Sequence, residues 1–297
     1  MSNRTFALLA LFTVQLLYGI NFTFAKNLIN DNFVSSTALV LLRIAGATTL
    51  FWVVTAFFPK EKIAPKDFIT FVFAAFFGVV INMLFFLKGL ELTTPINAAA
   101  IISITPIIII ILSSFYLKEA ITKLKIAGVI LAFAGAFILS IYGKSIRIGD
   151  NVLLGNLLIL VNVISYSIYI IMIKKLTVKY HPFTFIKWLF LFGTIMMLPF
   201  SFGDVKQIDW TIFTPAAYAS LLFVVVGATF GTFLLNPLAL RHLRASTVGI
   251  FIYLQPVIAT IFAITMGADS IDLIKIISAV LIFSGVYLVT KKPKLQD

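Results

Sequence analysis

The chain contains no cysteine, only two histidines and only eleven acidic residues among 297. The missing cysteine excludes disulfides, thiol nucleophiles and thiolate metal sites. His181 and His242 are far apart in short polar segments, so neither suggests a metal centre. The eleven carboxylates all fall in or beside polar segments, and none lies midway along an apolar run. That excludes paired catalytic acids within a bilayer and argues against proton carriage by a buried Asp or Glu. H-E-x-x-H, G-x-S-x-G and G-x-x-x-x-G-K-[ST] are all absent, so zinc hydrolysis, serine hydrolysis and direct use of ATP are not indicated, and no cofactor is expected.

What fills the chain instead is apolar: 61% of residues are hydrophobic and 11% charged, against about 45–50% and 25% in a soluble domain. The apolar residues form ten runs, at 6–28, 36–58, 68–87, 96–117, 123–142, 152–173, 183–202, 214–235, 246–267 and 272–290. Each is long enough to cross a hydrocarbon core of about 30 Å as a helix. Stretches such as Ile107 to Leu112 are apolar on every side, which does not suit alternating barrel strands. The expected fold is an all-α integral membrane protein of ten transmembrane helices. Arg4 ahead of the first run imitates a secretory leader, but the run exceeds the usual h-region of about 7–15 residues and lacks a small-x-small cleavage site, so it reads as retained helix 1.

The net charge of +12 invites a nucleic-acid reading, which the placement of the charges answers. Fifteen basic residues, among them Arg4, Lys60, Lys118, Lys174, Arg241 and Lys291, fall at one set of helix ends, and five, Lys88, Lys144, Arg147, Lys206 and Lys275, at the other. This is the positive-inside pattern, and it predicts an even number of spans with both termini in the cytoplasm. The bilayer is the expected partner, and nucleic acid is not.

Residues 95–140 align without a gap on 245–290 with ten identities in 46 positions, including Pro106 with Pro256, Lys125 with Lys275 and Gly135 with Gly285. At an offset of 148, Tyr18, Ile20 and Lys26 fall on Tyr166, Ile168 and Lys174. The repeating unit is five helices, 1–148 and 149–297. Five is odd, so the second copy should enter the membrane from the opposite side, as an inverted repeat. That architecture recurs in secondary transporters, where equivalent halves exchange conformations around a central site. Duplication also builds channels and static scaffolds, which stay open as alternatives.

In order along the chain, Tyr18-Gly19-Ile20-Asn21-Phe22 through Lys26, Arg43, Ala98 to Pro106, the acidic turn Lys118-Glu119, and Gly128 with Gly135 resemble the drug/metabolite transporter superfamily, in particular its EamA-type members. Thr247 to Pro256 and Ser284-Gly285 continue the resemblance in the second half, so it covers nearly the whole chain. The acidic turn there reads Ala268-Asp269 where Gly-Glu is more usual, and Ser278 replaces a glycine. The resemblance implies a ten-helix carrier of the cytoplasmic membrane, often an exporter of amino acids or related metabolites, of a bacterial kind, with dimerisation open.

Polar residues inside the spans are the binding candidates. Asn162, Ser165, Tyr166 and Tyr169 form a stripe on helix 6 at 100° per residue. Gln15, Tyr18 and Asn21 lie on helix 1; Thr232 and Asn236, in line with Thr229, on helix 8; Tyr253 and Gln255 on helix 9; and Asn82, Asn97 and Ser103 complete the set. Such groups suit a small polar solute beside aromatic walls, although each could equally bridge packed helices. Pro106 and Pro256, near the middle of helices 4 and 9, are candidate hinges, since proline removes a helical hydrogen bond. Arg43, about eight residues into helix 2, needs a partner; a carbonyl or an outer-side acid is expected, with a substrate carboxylate as the alternative. Glu119 and Asp269 are expected to pair with nearby lysines.

Overall fold

A computed structural model describes residues 2–58, 61–93, 95–142, 150–265 and 271–290. Among these residues there is no strand, and ten helices are long and apolar enough to cross a membrane. They are α1 (Asn3–Ile29), α2 (Ser36–Thr55), α3 (Asp67–Leu92), α4 (Asn97–Leu117), α5 (Lys123–Ile141), α6 (Val152–Lys179), α7 (Pro182–Lys206), α8 (Pro215–His242), α9 (Ala245–Thr265) and α10 (Leu273–Thr290). Mean hydropathy in their apolar windows runs from 1.6 to 2.4, which explains why composition alone located them.

The starts follow local chemistry. Ser2, Ser35, Thr122 and Thr214 each stand in extended backbone and accept the N–H three residues on, which satisfies a donor the helix cannot. Pro182 and Pro215 occupy first-turn positions where a missing N–H costs nothing. Between α2 and α3, Glu61 accepts from the His181 N–H at 2.9 Å and Thr184 Oγ1 at 2.5 Å. Burial opposes its charge, but these donors, with the nearby His181 and Arg241, hold the carboxyl below its ordinary value.

Two spans of each half depart from plain α-helix, and in the same way. α3 and α8 pass through π-helical stretches, Phe76–Ile81 and Phe223–Gly231. α4 breaks at Ser103 and Ile104, and α9 at Ile252 and Tyr253. Pro106 and Pro256 therefore sit in the first turn after a break rather than inside a continuous helix. At the α4 break the Thr105 hydroxyl donates to Ile102 O at 2.6 Å, the carbonyl that Pro106 has no N–H to serve.

Packing has a matching regularity. α2 packs on α7, α4 on α9 and α5 on α10; α6 lies against α3 and α4, and α1 against α8 and α9. Exchanging every helix for the one five places along leaves this set unchanged. α5 and α10 touch at backbone level: a Cβ on Gly128 would lie 2.7 Å from Gly285 O, and one on Gly135 would lie 2.6 Å from Ser278 O. Residue numbers rise on one helix as they fall on the other, so the pair is antiparallel. Gly227 and Gly231 of α8 are packed less tightly: both fall in the π-helical stretch, and a Cβ on either would stay 3.3 Å or more from its neighbours, the Leu17 side chain among them.

Candidate functional site: a cavity between the two halves

A cavity of about 100 Å³ lies among α1, α2, α3, α4, α6, α8 and α9. Its wall contains Tyr18, Asn21, Arg43, Asn82, Met83, Phe86, Ile102, Thr105, Asn162, Val163, Tyr166, Phe233, Ile252 and Gln255. Eight of these are four repeat-related pairs. Tyr18 and Tyr166 are 148 apart; Met83 and Phe233, Ile102 and Ile252, and Thr105 and Gln255 are each 150 apart. The remaining lining residues come from α1, α2, α3 and α6 alone, and that excess makes the cavity unequal about its centre.

The breaks and π-helical stretches build this wall. Ile102 and Thr105 flank the break of α4, while Ile252 and Gln255 flank that of α9. Asn82 and Thr232 are the first residues after the two π-helical stretches. A π-turn displaces carbonyls from their usual donors, and side chains supply replacements. Ser165 Oγ donates to Phe77 O at 2.6 Å, Asn162 Nδ2 to Asn82 O at 2.7 Å and Thr229 Oγ1 to Val224 O at 2.7 Å.

Of the fourteen sequence-derived binding candidates, six line the cavity: Tyr18, Asn21, Asn82, Asn162, Tyr166 and Gln255. Asn21 is 4% exposed and its Oδ1 has no partner among the described residues. Tyr166 OH accepts from Asn236 Nδ2 at 3.2 Å, which places Asn236 just behind the wall with its own Oδ1 unpartnered. Gln15 is likewise behind it, accepting from Gln255 Nε2 at 2.7 Å.

The others are spent on the helices. Ser103 donates to Ala99 O and Thr232 to Ala228 O, each one turn back in its own helix. Ser165 serves the α3 π-turn, and Tyr169 presses its buried ring on Gly78 there. Tyr253 is buried at the α9 break, and Asn97 is buried near the start of α4; neither lines the cavity. Sequence reasoning had passed over Met83, Phe86, Ile102, Thr105, Val163, Phe233 and Ile252. The repeat offset is the signal that finds one of them, since Gln255 maps onto Thr105.

Arg43 is 4% exposed and lines the cavity. The expected carbonyl or outer-side acid is not what it meets: Nε donates to Thr229 Oγ1 at 2.9 Å, and among the described residues it has no salt bridge. Thr229 can accept because its own proton already goes to Val224 O.

At the ends rich in basic residues the helices are tied together. Glu119 accepts from the Ala245 N–H at 2.7 Å, the Ser246 N–H at 3.3 Å and Ser246 Oγ at 2.6 Å, capping the start of α9. Lys125 Nζ lies 3.8 Å from the same carboxylate and donates to Ser246 Oγ and Ala120 O. Lys174 Nζ donates to Leu240 O at 2.5 Å and Leu243 O at 2.9 Å, closing the end of α8. Asp269, the expected counterpart of Glu119, lies outside the described residues. No group of three or more His, Cys, Asp or Glu able to hold a metal occurs among the described residues.

A multi-pass helical membrane protein with a small cavity of mixed polar and apolar lining between two similarly built halves belongs among the membrane transporters by its design. The chain belongs to the EamA-like transporter family, whose profile matches it twice, at residues 5–141 and 153–291. It is 26% identical over 266 residues to the uncharacterized transporter YetK of Bacillus subtilis, covering 89% of this chain and 80% of that one. An uncharacterized transporter of Archaeoglobus fulgidus is 26% identical over 296 residues, 98% of this chain and 99% of its own. A solved crystal structure 16% identical in sequence has the same fold, with a TM-score of 0.78 over 96% of each chain. The family and these relatives are transporters, not enzymes.

Proposed function

We propose that the protein is a secondary carrier that exports small polar or amphipathic metabolites, amino acids among them, across the cytoplasmic membrane of a bacterium by alternating access. One observation carries this reading: the cavity wall includes four repeat-related pairs, three of them beside the breaks and π-turns of both halves. Two halves able to adopt each other's conformation would open such a cavity to one side and then the other. The antiparallel contact of α5 with α10 and the exchangeable packing set favour an inverted relation between repeats 1–148 and 149–297. The fifteen-to-five distribution of basic residues favours cytoplasmic termini, with the Glu119 and Lys174 contacts then on the cytoplasmic side.

The direct test is flux. Purified protein in liposomes loaded with a mixed metabolite extract should release a few small solutes selectively, as identified by mass spectrometry against protein-free liposomes, and an excess of the same compound should block release. No release from folded protein under proton or sodium gradients of either sign would remove the reading. A passive pore is separated by saturation and counterflow, which only a carrier shows.

The helix breaks make a second prediction. Pro106→Ala and Pro256→Ala restore the N–H that would let each helix close across its break, so both should slow turnover several-fold while changing solute affinity less than twofold. Unchanged turnover in both variants would leave the prolines as fixed shape only.

A further inference from the structure

Among the described residues, the cavity wall carries one formal charge. Arg43 is buried, its Nε is fixed by Thr229, and its two terminal nitrogens have no hydrogen-bond or ion-pair partner among the described residues. No Asp or Glu is in the cavity wall among the described residues. A guanidinium at this depth without a counter-charge costs a few kcal/mol, and in structural ion pairs a carboxylate offsets that cost. Here the protein provides a hydroxyl instead. Asn21 also lines the cavity at 4% exposure, and its Oδ1 is a further polar atom without a partner among the described residues.

We infer that Arg43 is the anion-reading residue of the cavity and that the solute it selects is a small monocarboxylate with a hydrogen-bond donor beside the carboxylate. This rests on the cavity being the solute site. The fork of Arg43 matches a carboxylate bidentately, and the orphaned Asn21 oxygen would accept from a neighbouring hydroxyl. Charge balance sets the rest of the preference. One guanidinium neutralises one negative charge, whereas a phosphate monoester, at about −1.5 to −2, or a dicarboxylate brings a further charge with nothing to meet it. An ammonium on the solute would likewise find no carboxylate in the wall, so hydroxy acids bind ahead of the matching amino acids. The cavity, at about 100 Å³, is well under the roughly 300–1,000 Å³ of sites for drug-sized ligands and restricts the solute to a few heavy atoms.

The test uses detergent-purified full-length protein at pH 7 and matched probes: lactate, 2-hydroxybutyrate and glycolate, their amides, alanine, and malate. Affinity is read from the concentration dependence of thermal stabilisation. At least one hydroxy acid should bind ten- to a hundredfold more tightly than its amide, the range of one charge-assisted hydrogen-bonded contact, and more tightly than alanine or malate. In Arg43→Gln that margin should vanish, and in Arg43→Lys part of it should return. Thr229→Val, which keeps the cation but frees its anchor, should narrow it several-fold and serves where Arg43→Gln does not fold. The inference is overturned if no acid exceeds its amide in the wild type, if alanine binds as tightly as lactate, or if Arg43→Gln keeps the margin. Flux separates this from the carrier reading. Arg43-dependent binding of a hydroxy acid that never crosses the membrane would sink transport and keep the anion site; flux of neutral solutes that ignores Arg43→Gln would do the reverse.

Discussion

Replacing Gly285 with valine should leave little folded protein, and Gly285→Ala should lower the melting temperature in detergent by roughly 6–12 °C, as expected for about 3 kcal/mol at 2–4 °C per kcal/mol. A Cβ at this position meets the Gly128 carbonyl and lies 2.7 Å from both the Ala132 backbone nitrogen and its Cβ. None of these is the end of a flexible side chain. Relief therefore requires α5 and α10 to move apart, which also separates Gly135 from the Ser278 carbonyl 2.6 Å from its own would-be Cβ. Close backbone approach of this kind is what holds helices together where lipid removes the hydrophobic drive. The control is Gly203→Ala in α7, where nothing lies within 4 Å; there the melting temperature should hold or rise slightly. An equal loss at both positions would show that the α5–α10 contact does not set the effect, since Gly→Ala by itself favours the helix.

That contact was half visible in the sequence. Gly128 and Gly135 stood a heptad apart, and Gly285 aligned with Gly135, but spacing alone could not say that Gly128 would face Gly285. The spans themselves were legible because twenty apolar residues in a row have few other fates. The helix breaks were legible in part, through Pro106 and Pro256. The π-helical stretches were not, since Phe-Phe-Gly-Val-Val-Ile carries no local preference for a wider turn. They persist because Ser165, Asn162 and Thr229 reach the displaced carbonyls and because Tyr169 packs over Gly78, all contacts made through space. The same physics explains the uneven fate of the binding candidates. A serine or threonine in a helix can always satisfy itself on the carbonyl a turn back, as Ser103 and Thr232 do, and so says little about a cavity. Asparagine and glutamine cannot be fully satisfied that way, and four of the seven candidates of these two types, Asn21, Asn82, Asn162 and Gln255, line it. The apolar wall residues Met83, Phe86 and Phe233 look in sequence like any other membrane residue.

Glu119→Ala should do more to the balance between conformations than to the fold. In the structure this carboxylate, 9% exposed, takes two N–H groups and a hydroxyl at the start of α9 and neutralises Lys125, itself 8% exposed. Removing one member of a buried pair costs about 3–5 kcal/mol when the other cannot escape. Here Lys125 can escape, because opening this end of the bundle gives it water, and so do the freed Ala245 and Ser246 donors. Most of the penalty therefore falls on the closed arrangement alone and raises the share of molecules open at the basic end. A shift of even 1.4 kcal/mol is tenfold in that ratio. The absence of native cysteine makes the measurement direct. Asn236→Cys, 2% exposed behind Tyr166 in the half of α8 nearer its basic end, should label slowly with a charged thiol reagent in an otherwise unaltered chain. Combined with Glu119→Ala, it should label at least ten times faster, while the melting temperature falls by less than the full 3–5 kcal/mol would give. A large fall in melting temperature with unchanged labelling would instead make Glu119 a structural clamp between α4 and α9, and the balance between conformations would then have to rest on Lys174 and the carbonyls of Leu240 and Leu243 that it holds.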